Sequence, residues 1–141
     1  VTVDPLPDFV YPKRGDQRRM TIIGDRQSGK TYTLLERAVS HARQGEIVVF
    51  DCETLRMAQH THSECLNTHV RWGSDDVSYR ASYQDITLDR HSFRPGRIIF
   101  RPHGRRAPDF DPKAVDVHLL DCSPNDLVYK SAKLVIRAVH R

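Results

Sequence analysis

Apolar positions along this chain alternate between two spacings, and each change of spacing marks an element. Arg19-Met20-Thr21-Ile22-Ile23 is a short apolar run that ends at Gly24. From Thr31 to Arg43 the apolar residues fall at Leu34, Leu35, Ala38, Val39 and Ala42, the spacing of one helical face. Gln44-Gly45 stops that helix, and Glu46-Ile47-Val48-Val49-Phe50-Asp51 follows as a continuous apolar run closed by an acid, as expected of a strand covered on both faces. Strand, helix and strand make a βαβ unit, for which a right-handed crossover is expected.

Beyond this unit the pattern is more broken. Val1 to Pro12 carries Pro5, Pro7 and Pro12, which excludes a helix and predicts an extended arm laid on the domain. Cys52 to about Arg71 is polar and His-rich with weak helical character. Trp72 to Arg94 shows turn signals at Gly73-Ser74-Asp75-Asp76 and one short strand near Ile86 to Leu88. Pro95-Gly96 launches a second buried strand, Arg97-Ile98-Ile99-Phe100-Arg101-Pro102. A basic loop from His103 to Pro112 comes next, then a short strand or helical turn in Asp116 to Cys122, then a turn and helix start at Ser123-Pro124-Asn125-Asp126. Leu127 to Arg141 reads as an amphipathic helix on Leu127, Val128, Leu134, Val135, Ile136, Ala138 and Val139. No internal repeat or low-complexity tract interrupts the chain. The expectation is one α/β domain over residues 18–141 after a Pro-rich lead-in of residues 1–17. It is a three-layer sandwich around a mainly parallel sheet, and the reading allows for a sheet that is incomplete on its C-terminal side.

The junction between the first strand and the first helix carries the chemistry. Gly24-Asp25-Arg26-Gln27-Ser28-Gly29-Lys30-Thr31 fits the phosphate-binding pattern G-x-x-x-x-G-K-[ST] at every fixed position. An accidental match in a chain this long occurs in roughly one sequence in two hundred, so the strand before it and the helix after it decide the matter. Gly24 and Gly29 permit backbone angles and close approaches that a side chain would obstruct, so that successive N–H groups turn inward as an anion nest at a helix N-terminus. The nucleotide site is therefore read as Gly24, Ser28, Gly29, Lys30 and Thr31. Lys30 reaches the β- and γ-phosphates, and the Thr31 hydroxyl ligates Mg2+ beside ATP.

Hydrolysis needs a further acid to hold the magnesium and a group to orient the attacking water. Two acids end apolar strands: Asp51, after Ile47-Val48-Val49-Phe50, and Asp121, after Val117-His118-Leu119-Leu120. Both are candidate catalytic residues with Lys30, and Asp121 is also a candidate metal ligand with Thr31. A cysteine follows each acid, Cys52 and Cys122, in place of an adjacent glutamate. Glu53 lies on the same side of its strand as Asp51 and is a candidate base. A third reading puts the magnesium-binding strand beyond Arg141.

Composition narrows the class. A chain of 141 residues suits one compact domain. The three cysteines, Cys52, Cys65 and Cys122, are scattered and odd in number, which argues against a disulfide framework and for a reducing compartment. With no apolar stretch of membrane-spanning length and no leader pattern, a soluble intracellular protein, cytoplasmic or nuclear, is expected. A formal charge of +4 and a pI near 9.2, with basic clusters at Lys13-Arg14, Arg18-Arg19 and Arg101 to Arg106, admit DNA or RNA as a partner. Aromatic and basic pairs at Arg71-Trp72 and Tyr79-Arg80, with Tyr83, suit base stacking. His60, His62, Cys65 and His69 are ligand types that zinc prefers, but they match no standard zinc template.

In layout, Thr21 to Thr31, Ile47 to Asp51 and Arg97 to Pro102 resemble the front half of P-loop ATPases of the additional-strand class, the FtsK/HerA-like DNA translocases and viral packaging ATPases. The resemblance implies a RecA-like core, hydrolysis of ATP driving movement of DNA, and a homo-oligomeric ring with an arginine supplied in trans. It carries over Gly24, Gly29, Lys30 and Thr31, and Asp121 as the acid. Two other readings stand beside it. One is a small nucleotide or polynucleotide kinase with Asp51 activating an acceptor hydroxyl and arginines between Arg90 and Arg106 clamping the phosphoryl group. The other is a non-catalytic nucleotide-binding subunit of a nucleoprotein assembly.

Overall fold

The computed structural model describes residues 2–5, 17–24, 29–70, 78–89, 94–104, 108–125 and 127–140. Eight strands form one sheet: β1 (Thr2–Pro5), β2 (Arg18–Gly24), β3 (Ile47–Cys52), β4 (Ser78–Ala81), β5 (Asp85–Asp89), β6 (Gly96–Pro102), β7 (Val117–Asp121) and β8 (Leu134–His140). Their order across the sheet is β1-β2-β8-β7-β3-β6-β5-β4. The five strands from β2 to β6 in that order are mutually parallel. Antiparallel strands flank them, β1 on β2 and the β4–β5 hairpin on β6. Residues 2–5 of the opening segment are extended and form the edge strand β1 on β2.

Helices α1 (Lys30–Arg43) and α2 (Leu55–Glu64), with a π-helical segment Cys65–Val70, cover one face of the sheet. Leu34, Leu35, Ala38, Val39 and Ala42 of α1 bury the predicted stripe against Val48, Phe50, Ile98, Phe100 and Leu119. Each such buried aliphatic or aromatic side chain contributes about 2 kcal/mol, so α1 is fixed firmly where it leaves β2. Gly96 permits this approach: a Cβ there would stand 1.6 Å from the Ala42 carbonyl oxygen.

On the opposite face, Val49, Ile99, Leu120 and Val135 are covered by Phe110, Val115, Val128, Tyr129 and Ala132. Among the described residues this layer holds no α-helix, only connecting segments and the 3-10 turn Pro112–Ala114. The expected third layer of helices is replaced by loops in these residues. Connection sides follow the crossover rule. The chain passes from β2 through α1 to β3 on the first face, and after α2 it reaches β6 by way of the β4–β5 hairpin at the far edge. From β6 to β7 to β8 it returns on the second face, as a constant crossover hand demands.

The largest departure from expectation lies at Leu127 to Arg141. Residues 127–133 are irregular and turn-like, and Leu134–His140 is β8, paired between β2 and β7. A central strand covered on both faces carries a near-continuous apolar run, which mimics a helical face over seven residues. The β-branched Val135, Ile136 and Val139 were the signal for a strand. The helix start expected at Ser123–Asp126 is likewise a turn at 123–125, with residue 126 outside the described residues. Around Asp116 to Cys122 the strand alternative is correct, and β5 extends the short strand expected near Ile86 to Leu88.

Candidate functional site

All five parallel strands end at the same edge, where ligands of open α/β sheets gather. At that edge lie Gly24 of β2, His140 of β8 and Asp121 of β7, with the N-terminus of α1 beside them. Residues 25–28 of the phosphate-binding pattern, Ser28 included, lie outside the described residues. Gly29 caps α1 with φ 83 and ψ 14, a left-handed conformation that favours glycine. A Cβ at Gly29 would have open space, so the glycine serves backbone angle and not packing. Gly24 has a different role: it is extended, pairs with His140 in the sheet, and its carbonyl accepts from Lys30 Nζ at 2.6 Å.

Lys30 is only 4% exposed. Its Nζ also lies 3.2 Å from His140 Nδ1. Thr31 Oγ1 donates to Asp121 Oδ2 at 2.8 Å. Lysine, hydroxyl and strand-ending acid, 90 residues apart in sequence, thus converge. Asp121 is 2% exposed. Burial pushes its carboxyl above the ordinary range and outweighs the opposing pull of the Thr31 hydrogen bond and of Lys30 and His140. A cation placed beside this carboxylate would offset that burial cost.

An oxygen donor pair of hydroxyl and carboxylate is of the type Mg2+ accepts. Two neighbouring oxygens of an octahedral ion bound at 2.0–2.1 Å are about 2.9 Å apart, close to the 2.8 Å between Thr31 Oγ1 and Asp121 Oδ2. Magnesium takes one or two protein oxygens and fills its shell with water and phosphate. Among the described residues no cluster of three or more His, Cys, Asp or Glu residues is arranged to hold a metal.

Asp51 is not brought to this site. It stands on the neighbouring strand with its side chain on the opposite face of the sheet, because Cys52, not Asp51, is in register with Asp121. Arg101 grips it with two nitrogens, Nη2 donating to Oδ2 at 2.7 Å and Nε to Oδ1. His118 Nε2 lies 2.6 Å from Oδ2 and Asn125 Nδ2 donates to the same oxygen at 3.3 Å. Burial alone would raise the Asp51 carboxyl, but the bonds from His118 and Arg101 together hold it below the ordinary range. Arg101 Nη1 also donates to the Tyr129 hydroxyl and its guanidinium lies 5.0 Å from that ring centre. His118 is fully buried, and burial lowers its pKa against the pull of Asp51, so that it is neutral at ordinary pH.

Several residues of the site were not legible as such. Arg137 of β8 donates to the carbonyls of Ser123 at 3.1 Å and Asn125 at 2.7 Å, which pins the turn directly after Asp121. Cys122 at the start of that turn has φ 53 and donates its N–H to Ala138 O at 2.9 Å. Once β8 is recognised as a strand, His140 falls at its carboxyl end and Arg137 at its middle beside Leu120, and that assignment was the missing signal. The four ligand-type residues of the α2 region diverge. His60 pairs with Glu64, His62 lies against Asp85 O and the Phe100 ring, Cys65 is buried, and His69 meets Tyr32. Among the described residues no helix is long and apolar enough to cross a membrane.

The chain matches no protein-family model, and comparison with curated proteins and with solved structures found no similar protein.

Proposed function

We propose that this chain is a nucleoside triphosphatase that binds magnesium and ATP at the N-terminus of α1. The observation that carries the reading is the hydrogen bond from Thr31 to Asp121 beside Lys30, which unites the phosphate-loop motif with a buried strand-ending acid. The sheet order supports it as well. Strand β8 lies between the phosphate-loop strand β2 and the acid strand β7.

Each residue then has a task. The ammonium of Lys30, held near the Gly24 carbonyl, turns to the β- and γ-phosphates, where it offsets charge that develops on transfer. Thr31 and Asp121 would hold the metal. Bound magnesium would supply positive charge that neutralises the phosphates. His140, at the tip of β8, lies beside Lys30 and keeps its ammonium aimed at the site. Burial, then Asp121, raise the Cys122 thiol, with a lesser contribution from Glu53; Glu53, exposed in the bend after β3, is the base for water. The kinase reading loses its residue, since a carboxylate gripped by Arg101 and His118 is a weak base.

The test measures magnesium-dependent ATP binding and phosphate release, with and without DNA and RNA. Lys30→Ala and Thr31→Val are the controls, and thermal unfolding is followed in parallel because Lys30 is buried. Turnover lost in both folded variants supports the reading, and stimulation by nucleic acid extends it to a DNA- or RNA-directed motor. Binding without turnover points to the non-catalytic subunit. ATP binding that survives both substitutions overturns the site.

A further inference from the structure

On the face of the sheet that α1 covers, the amino-terminal parts of β2 and β8 leave a groove along the flank of that helix. Met20 of β2 stands opposite Ile136 of β8, and Arg18 opposite Leu134. Met20, Leu134 and Ile136 make an aliphatic floor, Arg37 and His41 of α1 make one wall, and Arg18 and Lys133 complete the rim. The cavity holds about 390 Å³, within the range of ligand clefts. Met20 and Leu134 pack against the core but are only half-buried, so this part of the sheet keeps apolar surface open. Arg37, the wall residue nearer to Lys30, is roughly 10 Å from it along the helix axis, so the groove is separate from the phosphate site.

The cations around it are not equivalent. Glu46 Oε1 lies 2.8 Å from His41 Nδ1, and Oε2 pairs with Lys133. Burial would raise the Glu46 carboxyl, but Lys133 and His41 hold it below the ordinary range, so its charge answers that end of the groove. Arg18 and Arg37 are exposed, and among the described residues no carboxylate pairs with either. Two unanswered guanidiniums beside an aliphatic floor suit a partner that brings carboxylates and an apolar side chain together. Arginine takes carboxylates bidentately, and arginine and methionine are enriched in protein interfaces. Single-stranded nucleic acid is the poorer fit, because it is held by aromatic rings that stack on its bases, and among the described residues no Phe, Tyr or Trp lines the groove.

We propose that this groove docks an acidic peptide segment of a partner protein, which seats one apolar side chain on Met20, Leu134 and Ile136 and gives its flanking carboxylates to Arg18 and Arg37. The proposal is independent of the nucleotide-binding reading.

The experiment is fluorescence anisotropy of the full chain at low ionic strength with three peptides carrying the same dye: DDFDD, DDGDD and KKFKK. The parent is expected to bind DDFDD saturably, about tenfold tighter than DDGDD, which lacks the apolar side chain, and not to bind KKFKK. Arg18→Ala and Arg37→Ala should each weaken DDFDD up to about fivefold, and Arg18→Glu combined with Arg37→Glu should abolish its binding. Both arginines are exposed, and thermal unfolding certifies that the variants are folded. Arg56→Glu, an equal change of charge on exposed α2 surface, should leave DDFDD affinity unchanged. No saturable binding of DDFDD by the parent, equal affinity for DDFDD and DDGDD, or binding that survives the double substitution overturns the site. A loss in Arg56→Glu as large as in Arg37→Glu overturns it as well, since attraction would then be to the charge of the whole chain. A thymidine oligonucleotide that displaces DDFDD and itself depends on Arg18 and Arg37 reassigns the groove to nucleic acid and overturns the peptide.

Discussion

Asp51 and Asp121 lie at the carboxyl ends of neighbouring parallel strands, yet the sheet gives them opposite fates. The register offsets them by one residue, and a one-residue offset in a strand moves a side chain to the other face. Asp121 emerges under α1, where a hydroxyl and a lysine meet it and burial keeps its carboxyl raised. Asp51 emerges on the loop-covered face, where Arg101 and His118 satisfy both oxygens and hold it low. One acid still gains from a cation; the other is already neutralised. Position at a strand end does not by itself set an acid's partners, and the face of the sheet decides.

The comparison is most directly broken at Asp51. Asp51→Ala leaves Arg101 without its carboxylate and His118 without its acceptor in a buried setting, and is expected to cost about 3 kcal/mol of stability. That is the low end for a buried pair, since the Arg101 side chain keeps 24% of its exposure. Denaturant unfolding measures it, and the affinity of the remaining folded protein for ATP should not change. A chain equally stable without Asp51 would show the network to be idle.

Asp121→Asn should reverse that profile. The amide still accepts from Thr31 and removes a costly buried charge, so unfolding free energy should shift by less than about 1 kcal/mol. Magnesium-dependent hydrolysis should fall by at least about a hundredfold. If instead stability collapses and turnover persists, the roles of the two acids are exchanged.

Acidity sharpens the contrast. The folded pKa of Asp51 lies below its unfolded value, so its stabilisation is full above the ordinary carboxylate range, near pH 4, and is lost as pH falls through that range. Asp121 has a raised folded pKa, so stability is greatest with it protonated and declines as pH rises from the ordinary carboxylate value to the raised one. His118, with a lowered folded pKa, costs stability as pH falls through the ordinary imidazole range near 6.5. Unfolding followed against pH should therefore show a loss on acidification that is reduced in Asp51→Asn, and a decline above the carboxylate range that is absent in Asp121→Asn.

The smallest effect is expected at the hinge of the site. Gly29→Ala places a side chain at φ 83 with no steric neighbour, so the cost should be about 1 kcal/mol, read as a lower thermal midpoint. A larger loss would mean that the residue meets more than its own backbone.

Much of the front of the molecule was legible in the sequence. The run ending at Gly24, the stripe from Leu34 to Ala42 and the acid-closed run at Asp51 carry their elements in local spacing, and β2, α1 and β3 lie within a residue or two of the reading. Gly29, Lys30 and Thr31 were legible because the pattern joining a strand to a helix is local. Leu134 to Val139 was not. An apolar run that short has no period of its own, and only its place between two strands makes it a strand.

The sequence by itself determined which side chains are available: a glycine-bounded loop, a lysine, a hydroxyl, two strand-ending acids and a basic surplus. The tertiary structure alone decided which of them meet. Whether an acid serves a cation or an arginine depends on strand register, on which face a crossover covers and on what lies across the sheet, and these are set by contacts between segments dozens of residues apart that no local spacing encodes.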